Sequence, residues 1–134
     1  VTQGKLVKVL GYYNDASYIE RIVASLRKLL IDIDWMYCRR INDEGLYEIY
    51  LLAKDHPNLN QAILNLSKTV GVERVEVFNE FKVEFINIEQ SDSGSSQHNP
   101  NNDRTIGNLF ILYIPIYSRS IVYSWGKKYG QDIP

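Results

Sequence analysis

The stretch from Asp32 to Ala53, DIDWMYCRRINDEGLYEIYLLA, decides the fold. Asp32 to Arg40 alternates, with Ile33, Trp35 and Tyr37 on one side and Asp32, Asp34, Met36 and Cys38 on the other, the period of a β-strand. Asn42-Asp43-Glu44-Gly45 carries hairpin chemistry, because Gly45 is free to take a positive φ. Leu46 to Ala53 is then the antiparallel partner strand.

A helix flanks this hairpin on each side. Before it, Ile19, Ile22, Val23, Leu26, Leu29 and Leu30 recur at helical spacing, and Ser17-Tyr18-Ile19-Glu20 fits a capping box. After it, Asp55-His56-Pro57 opens a second helix whose buried face is Leu59, Ala62, Ile63, Leu66 and Val70, with Gly71 as its left-handed stop. Leu6 to Leu10 is a short strand ended by Gly11 and followed by the turn residues Asn14 and Asp15. Val72 to Phe78 is a fourth strand, which Val83 to Ile88 would continue. The order strand, helix, strand, strand, helix, strand predicts an α+β domain over residues 1–89: a ferredoxin-like βαββαβ arrangement, with a four-stranded antiparallel sheet and two helices on one face. Trp35, Tyr37, Tyr47, Tyr50 and Leu52 cannot all face two helices, so the other sheet face is expected to be open, apolar and in need of a partner.

Beyond the domain, residues 90–108 (QSDSGSSQHNPNNDRTIGN) have the composition of a polar flexible linker. Residues 109–134 turn apolar and aromatic again without a clear period. Phe110, Tyr113, Tyr117, Tyr123 and Trp125 would anchor this tail on a partner, with packing on its own domain, disorder or an origin outside native coding sequence as the alternatives. With 134 residues the chain is far too short for a large barrel enzyme. The formal net charge of -1 gives no basic footprint for nucleic acid or an acidic membrane. The single cysteine, Cys38, excludes an internal disulfide. Val1 to Lys8 lacks the apolar core of a signal peptide, and the run from Leu109 to Tyr117 is interrupted by Pro115 and too short to span a bilayer. A cytoplasmic protein without membrane contact is expected. Ten tyrosines in so short a chain favour interfaces or half-buried strands.

Three segments resemble an ACT domain, the ferredoxin-like module that senses small metabolites, and most of all that of the regulatory (small) subunit of acetolactate synthase. They are VLGYYNDASYIERIVASLRK (9–28), IDIDWMYCRRINDEGLYEIYLL (31–52) and LNQAILNLSKTVGVERVEVF (59–78). The family's first turn reads Asn-x-Pro-Gly-x-Leu, and the matching residues here are Asn14, Asp15, Ala16, Ser17, Tyr18 and Ile19. The resemblance makes these six the candidate effector-binding residues and a branched-chain amino acid the candidate effector. It implies a non-catalytic homodimer that activates a catalytic subunit holding thiamine diphosphate, Mg and FAD, with no cofactor in this chain. Trp35, Tyr37, Tyr47 and Tyr50 are the candidate partner interface. Ser17 stands where the family has glycine. A side chain there occupies effector space and competes for the N–H groups of the helix start, so valine sensing is expected to be weak or lost. A stand-alone amino-acid-binding ACT module, or an RNA-binding domain of the same element order, is the alternative; Glu48 on the third strand and the negative charge of residues 1–89 speak against RNA.

Other residues have plainer readings. Asn14 also suits an ordinary cap, and Ser17 a cap better than a nucleophile. Cys38 reads as a small half-buried strand residue. His56 and His98 have no partner at metal-ligand spacing. Asp32 and Asp34 read as a solvated strand edge rather than an acid–base pair.

Overall fold

The computed structural model describes residues 4–90, 105–115 and 120–129. The elements in chain order are β1 (Lys5–Tyr12), α1 (Ser17–Arg27), β2 (Ile33–Arg40), β3 (Leu46–Ala53), α2 (Leu59–Ser67), β4 (Val72–Phe78), β5 (Lys82–Gln90), β6 (Thr105–Tyr113), β7 (Ser120–Ser124) and β8 (Lys127–Tyr129). They form two compact units, one of residues 1–80 with 116–134 and one of residues 81–115.

The first unit is α+β, with a sheet in the order β2-β3-β1-β4-β7-β8, every neighbouring pair antiparallel. Its first four strands and two helices follow the expected element order and are compatible with a ferredoxin-like arrangement. The expected four-stranded sheet is corrected to six strands: the tail supplies β7 and β8. Val75 and Val77 of β4 would otherwise stand on an exposed edge. Instead Tyr123 lies opposite Val75 and Ile121 opposite Val77. Both join the helix-side core, Tyr123 with only 4% of its surface exposed. The turn into β8 places Trp125 (φ 53°) and Gly126 (φ 77°) in the left-handed region, as a two-residue hairpin loop requires. It is tied to α2, since the Gly126 N–H donates to Ser67 Oγ at 3.0 Å and the Lys68 stem lies where a Gly126 side chain would be.

The core lies between sheet and helices. Val7 and Val9 of β1, Ile49, Leu51 and Ala53 of β3 and Val75 of β4 meet Tyr18, Ile22 and Leu26 of α1 and Leu59, Ala62, Ile63 and Leu66 of α2. Tyr18 is fully buried, although it precedes the apolar series that the spacing picks out. Conversely Leu30 and Val70, read as buried helix residues, are 74% and 75% exposed. Each lies past the end of its helix, Leu30 in a left-handed cap at φ 66°, with the Ile31 N–H reaching back to the Leu26 carbonyl.

Two details re-aim the hairpin. A register shift between Ile33 and Trp35 puts Ile33 with Met36 and Cys38 against the core, leaving Trp35 and Tyr37 on the far face. Tyr47 is also helix-side, its ring stacked on Tyr13 with centroids 4.4 Å apart. The hairpin turn is held by Asn42 Oδ1, which accepts from the N–H groups of Glu44 and Leu46, with Gly45 at φ 91°.

In the second unit β5 and β6 pair along nine residues, from Lys82 opposite Tyr113 to Gln90 opposite Thr105, with Phe85 and Phe110 rings 5.1 Å apart. Val83 to Ile88 therefore belongs to a hairpin of its own and does not continue β4. The expected linker ends earlier than 108, because Thr105 to Asn108 are already in β6. Its residues 91–104, with His98, lie outside the described residues, as does Tyr117.

Tyr123→Ala should lower unfolding free energy by roughly 3 kcal/mol, the cost of deleting a buried aromatic ring. Denaturant titration checks this; an unchanged midpoint would mean that the tail is not part of the core.

Candidate functional site

The candidate effector turn lies where β1, at the centre of the sheet, hands over to α1. Asn14, Asp15 and Ala16 are exposed, Ser17 and Ile19 half-buried and Tyr18 buried. The helix begins at Ser17, but Ser17 is not its cap. Asp15 does that work: its Oδ1 accepts the Ser17 N–H at 2.9 Å and the Ser17 hydroxyl as well. The hydroxyl in turn accepts a hydrogen bond from Arg21 NH1 at 2.9 Å, and Arg21 NH2 reaches the Val70 carbonyl at 3.3 Å. The remaining first-turn N–H groups are also engaged, Tyr18 to the Asp15 carbonyl and both Ile19 and Glu20 to that of Ala16. A helix start normally offers free N–H groups to an anion. Here the chain's own carboxylate has taken that role. The Ser17 hydroxyl, then its N–H, and then the Arg21 charge hold the Asp15 carboxyl below its usual range.

Behind the turn Tyr18 fills a slot made by two glycines. A side-chain carbon on Gly11 would come within 2.3 Å of both the Gly71 carbonyl and the Tyr18 hydroxyl, and one on Gly71, itself at φ 95°, would touch the Tyr18 ring. The hydroxyl is buried without a hydrogen-bond partner. Burial pushes its pKa up to about 12.

On the sheet face away from the helices the strand register sets three rows. Phe78, Leu6, Leu52 and Trp35 form the first, Glu76, Lys8, Tyr50 and Tyr37 the second, and Arg74, Leu10, Glu48 and Arg39 the third. Leu6, Leu52 and Phe78 are buried, Tyr37 is 47% exposed, and Glu48 is 8% exposed. The Glu48 carboxylate is held by Arg39 Nε at 3.1 Å and Lys8 Nζ at 3.5 Å, with the Tyr50 hydroxyl at 3.4 Å. The expectation of an open apolar face is thereby corrected: period-two alternation brings Lys8, Glu48 and Arg39 together in its middle. Of the four candidate interface residues, Trp35, Tyr37 and Tyr50 share this face and Tyr47 does not. Sequence reading missed the ion cluster. Its only signal was the pairing of β1 with β3, which sets Lys8 opposite Tyr50, next to Glu48.

His56 holds the turn before α2, its Nδ1 accepting the Asn58 N–H at 3.0 Å. Cys38 is half-buried against the core. Among the described residues no helix is long and apolar enough to cross a membrane.

No known family model matches this chain, and neither does any curated protein.

Two pH effects follow. Asp15 is depressed in the fold, so its contribution is complete above the unfolded value of about 3.9 and is lost as pH falls through the lower folded value. NMR titration should show an Asp15 midpoint below the usual carboxylate range, returning towards it in Ser17→Ala. Tyr18 is raised, so its contribution is complete below about pH 10 and is lost as pH rises towards about 12. Tyr18→Phe should flatten that alkaline loss and raise stability by about 1 kcal/mol, because it removes an unpartnered hydroxyl.

Proposed function

We propose that this chain is a non-catalytic, ACT-like regulatory subunit. It forms a homodimer, associates with the thiamine-diphosphate-dependent large subunit of acetolactate synthase, and activates it with little or no response to valine. One observation carries the reading: the order β2-β3-β1-β4, with both crossover helices packed on one side of the sheet, sets the Asn14–Ile19 turn at the end of a central strand. A ligand or partner there can bias two elements at once.

The insensitivity to valine follows from hydrogen-bond accounting. An amino-acid carboxylate at this helix start would have to displace Asp15 from the Ser17 N–H and hydroxyl, and two carboxylates side by side repel. Activation then requires only that the dimer bind the active conformation of the large subunit better than the inactive one.

Adding the chain to purified large subunit should raise acetolactate formation severalfold, with unchanged activity when valine is included. No change in activity or in assembly would refute the proposal. Calorimetry with valine should show no binding heat; micromolar binding would refute the insensitivity alone.

A further inference from the structure

Trp125 breaks the rules of its own turn. It stands at the first position of the two-residue loop between β7 and β8, with φ at 53° and 69% of its surface exposed. Such a loop favours Asn or Asp followed by glycine, because both residues need a positive φ. Gly126 meets that demand at φ 77°. A bulky ring beside it strains the backbone and gains no burial in return. Tyr123, two residues earlier on β7, is turned into the core instead.

The loop is nonetheless held from three sides. The Gly126 N–H donates to Ser67 Oγ at 3.0 Å, and that hydroxyl donates on to the Leu64 carbonyl at 2.7 Å. The Ser124 hydroxyl donates to the Glu73 carbonyl of β4 at 3.0 Å. The Lys68 stem lies beside Gly126. The ring is therefore displayed from a fixed base, which lowers the ordering cost of any contact it makes. Exposed lysines flank it. Lys128 lies opposite Tyr123, on the helix side with Lys68, and Lys127 lies opposite Ser124, on the other side. Among the described residues Lys68, Lys127 and Lys128 have no ion pair. The acid across from the loop is Glu73, level with Trp125 when the pairing of β7 with β4 is continued.

We propose that Trp125 is the anchor by which this chain docks on its catalytic partner: the ring enters an apolar pocket whose rim carries carboxylates facing Lys68, Lys127 and Lys128. This rests on the proposed function and names the contact through which that association is made. Burial of the ring in a partner offsets what the turn gives up by holding it outside. Tryptophan is among the residue types most enriched where truncation costs binding most. Cations at the rim of such a contact steer the encounter and make it salt-dependent more than they add affinity. A few lysines around a single ring are a small footprint for a nucleic acid or an anionic bilayer, which draw on longer basic tracks. The net charge of -1 adds no attraction to either.

Trp125→Asn separates docking from folding. Asn suits the left-handed loop position, so this variant should unfold at the same denaturant concentration as the natural chain or a higher one. Its dissociation constant for purified large subunit, measured by sedimentation, should rise roughly thirtyfold. Lys127→Glu with Lys128→Glu should slow association severalfold at low salt and leave little difference at high salt. In a Trp35→Phe background Trp125 is the sole tryptophan, and its emission should shift to the blue as large subunit is added. A Trp125→Asn chain that binds and activates like the natural one, or emission that stays unshifted on binding, would overturn the anchor while leaving the functional proposal standing. A natural chain that neither binds nor activates the large subunit would overturn the functional proposal, and this docking with it. A blue shift with anionic phospholipid vesicles or single-stranded RNA, and none with the large subunit, would overturn the class of partner.

Discussion

Backbone hydrogen bonds at the rim of a sheet must end somewhere, and this chain ends its two rims differently. At β4 the strand that closes the expected domain is covered from within: Ile121 and Tyr123 continue the valine rows of β4, and Ser67 holds the turn that follows them. Covering one rim enlarges the core, since Tyr123 is packed among its residues. β2 stands at the other end of the strand order, with β3 as its one sheet neighbour among the described residues. That asymmetry places the added part of the core on the β4 side of the sheet.

The candidate turn is stiffened from below as well as from above. Tyr18 is wedged against Gly11 and Gly71, so the first turn of α1 is pinned to the end of β1 and the entry of β4. Asp15, Ser17 and Arg21 bind one another over it, and Arg21 also reaches the Val70 carbonyl after α2. A turn whose donors are already engaged has little left for an anionic ligand. The chemistry that makes this segment stable is the same chemistry that argues for weak effector sensing.

Much of this was legible in the sequence. The hairpin from Asp32 to Ala53 and the two helices follow from periodicity and turn residues, and these fix the order of the first six elements. What stayed hidden has particular causes. The shift between Ile33 and Trp35 adds one residue to a strand, and a single added residue reverses which face the rest belong to. Tyr18 and Tyr47 are amphipathic, so their side chains fit a turn or an open face as readily as the core they occupy. Asp15 and Ser17 are both good capping residues two positions apart, and only the geometry tells which one accepts. β7 and β8 are five and three residues long, too short for a period to emerge beyond so polar a segment. The turn from Asn14 to Ile19 is legible in position, between β1 and α1, and its hydrogen-bond state is not, because Arg21 enters it from a turn further along the helix.

The β4 edge is completed by the chain itself, through Ile121 and Tyr123 of β7. Amide hydrogen exchange, followed by mass spectrometry across a dilution series, tests it directly. Protection along β4 and β7 should be strong and independent of protein concentration. Fast exchange along β7, or protection of β4 that falls on dilution, would contradict that closure.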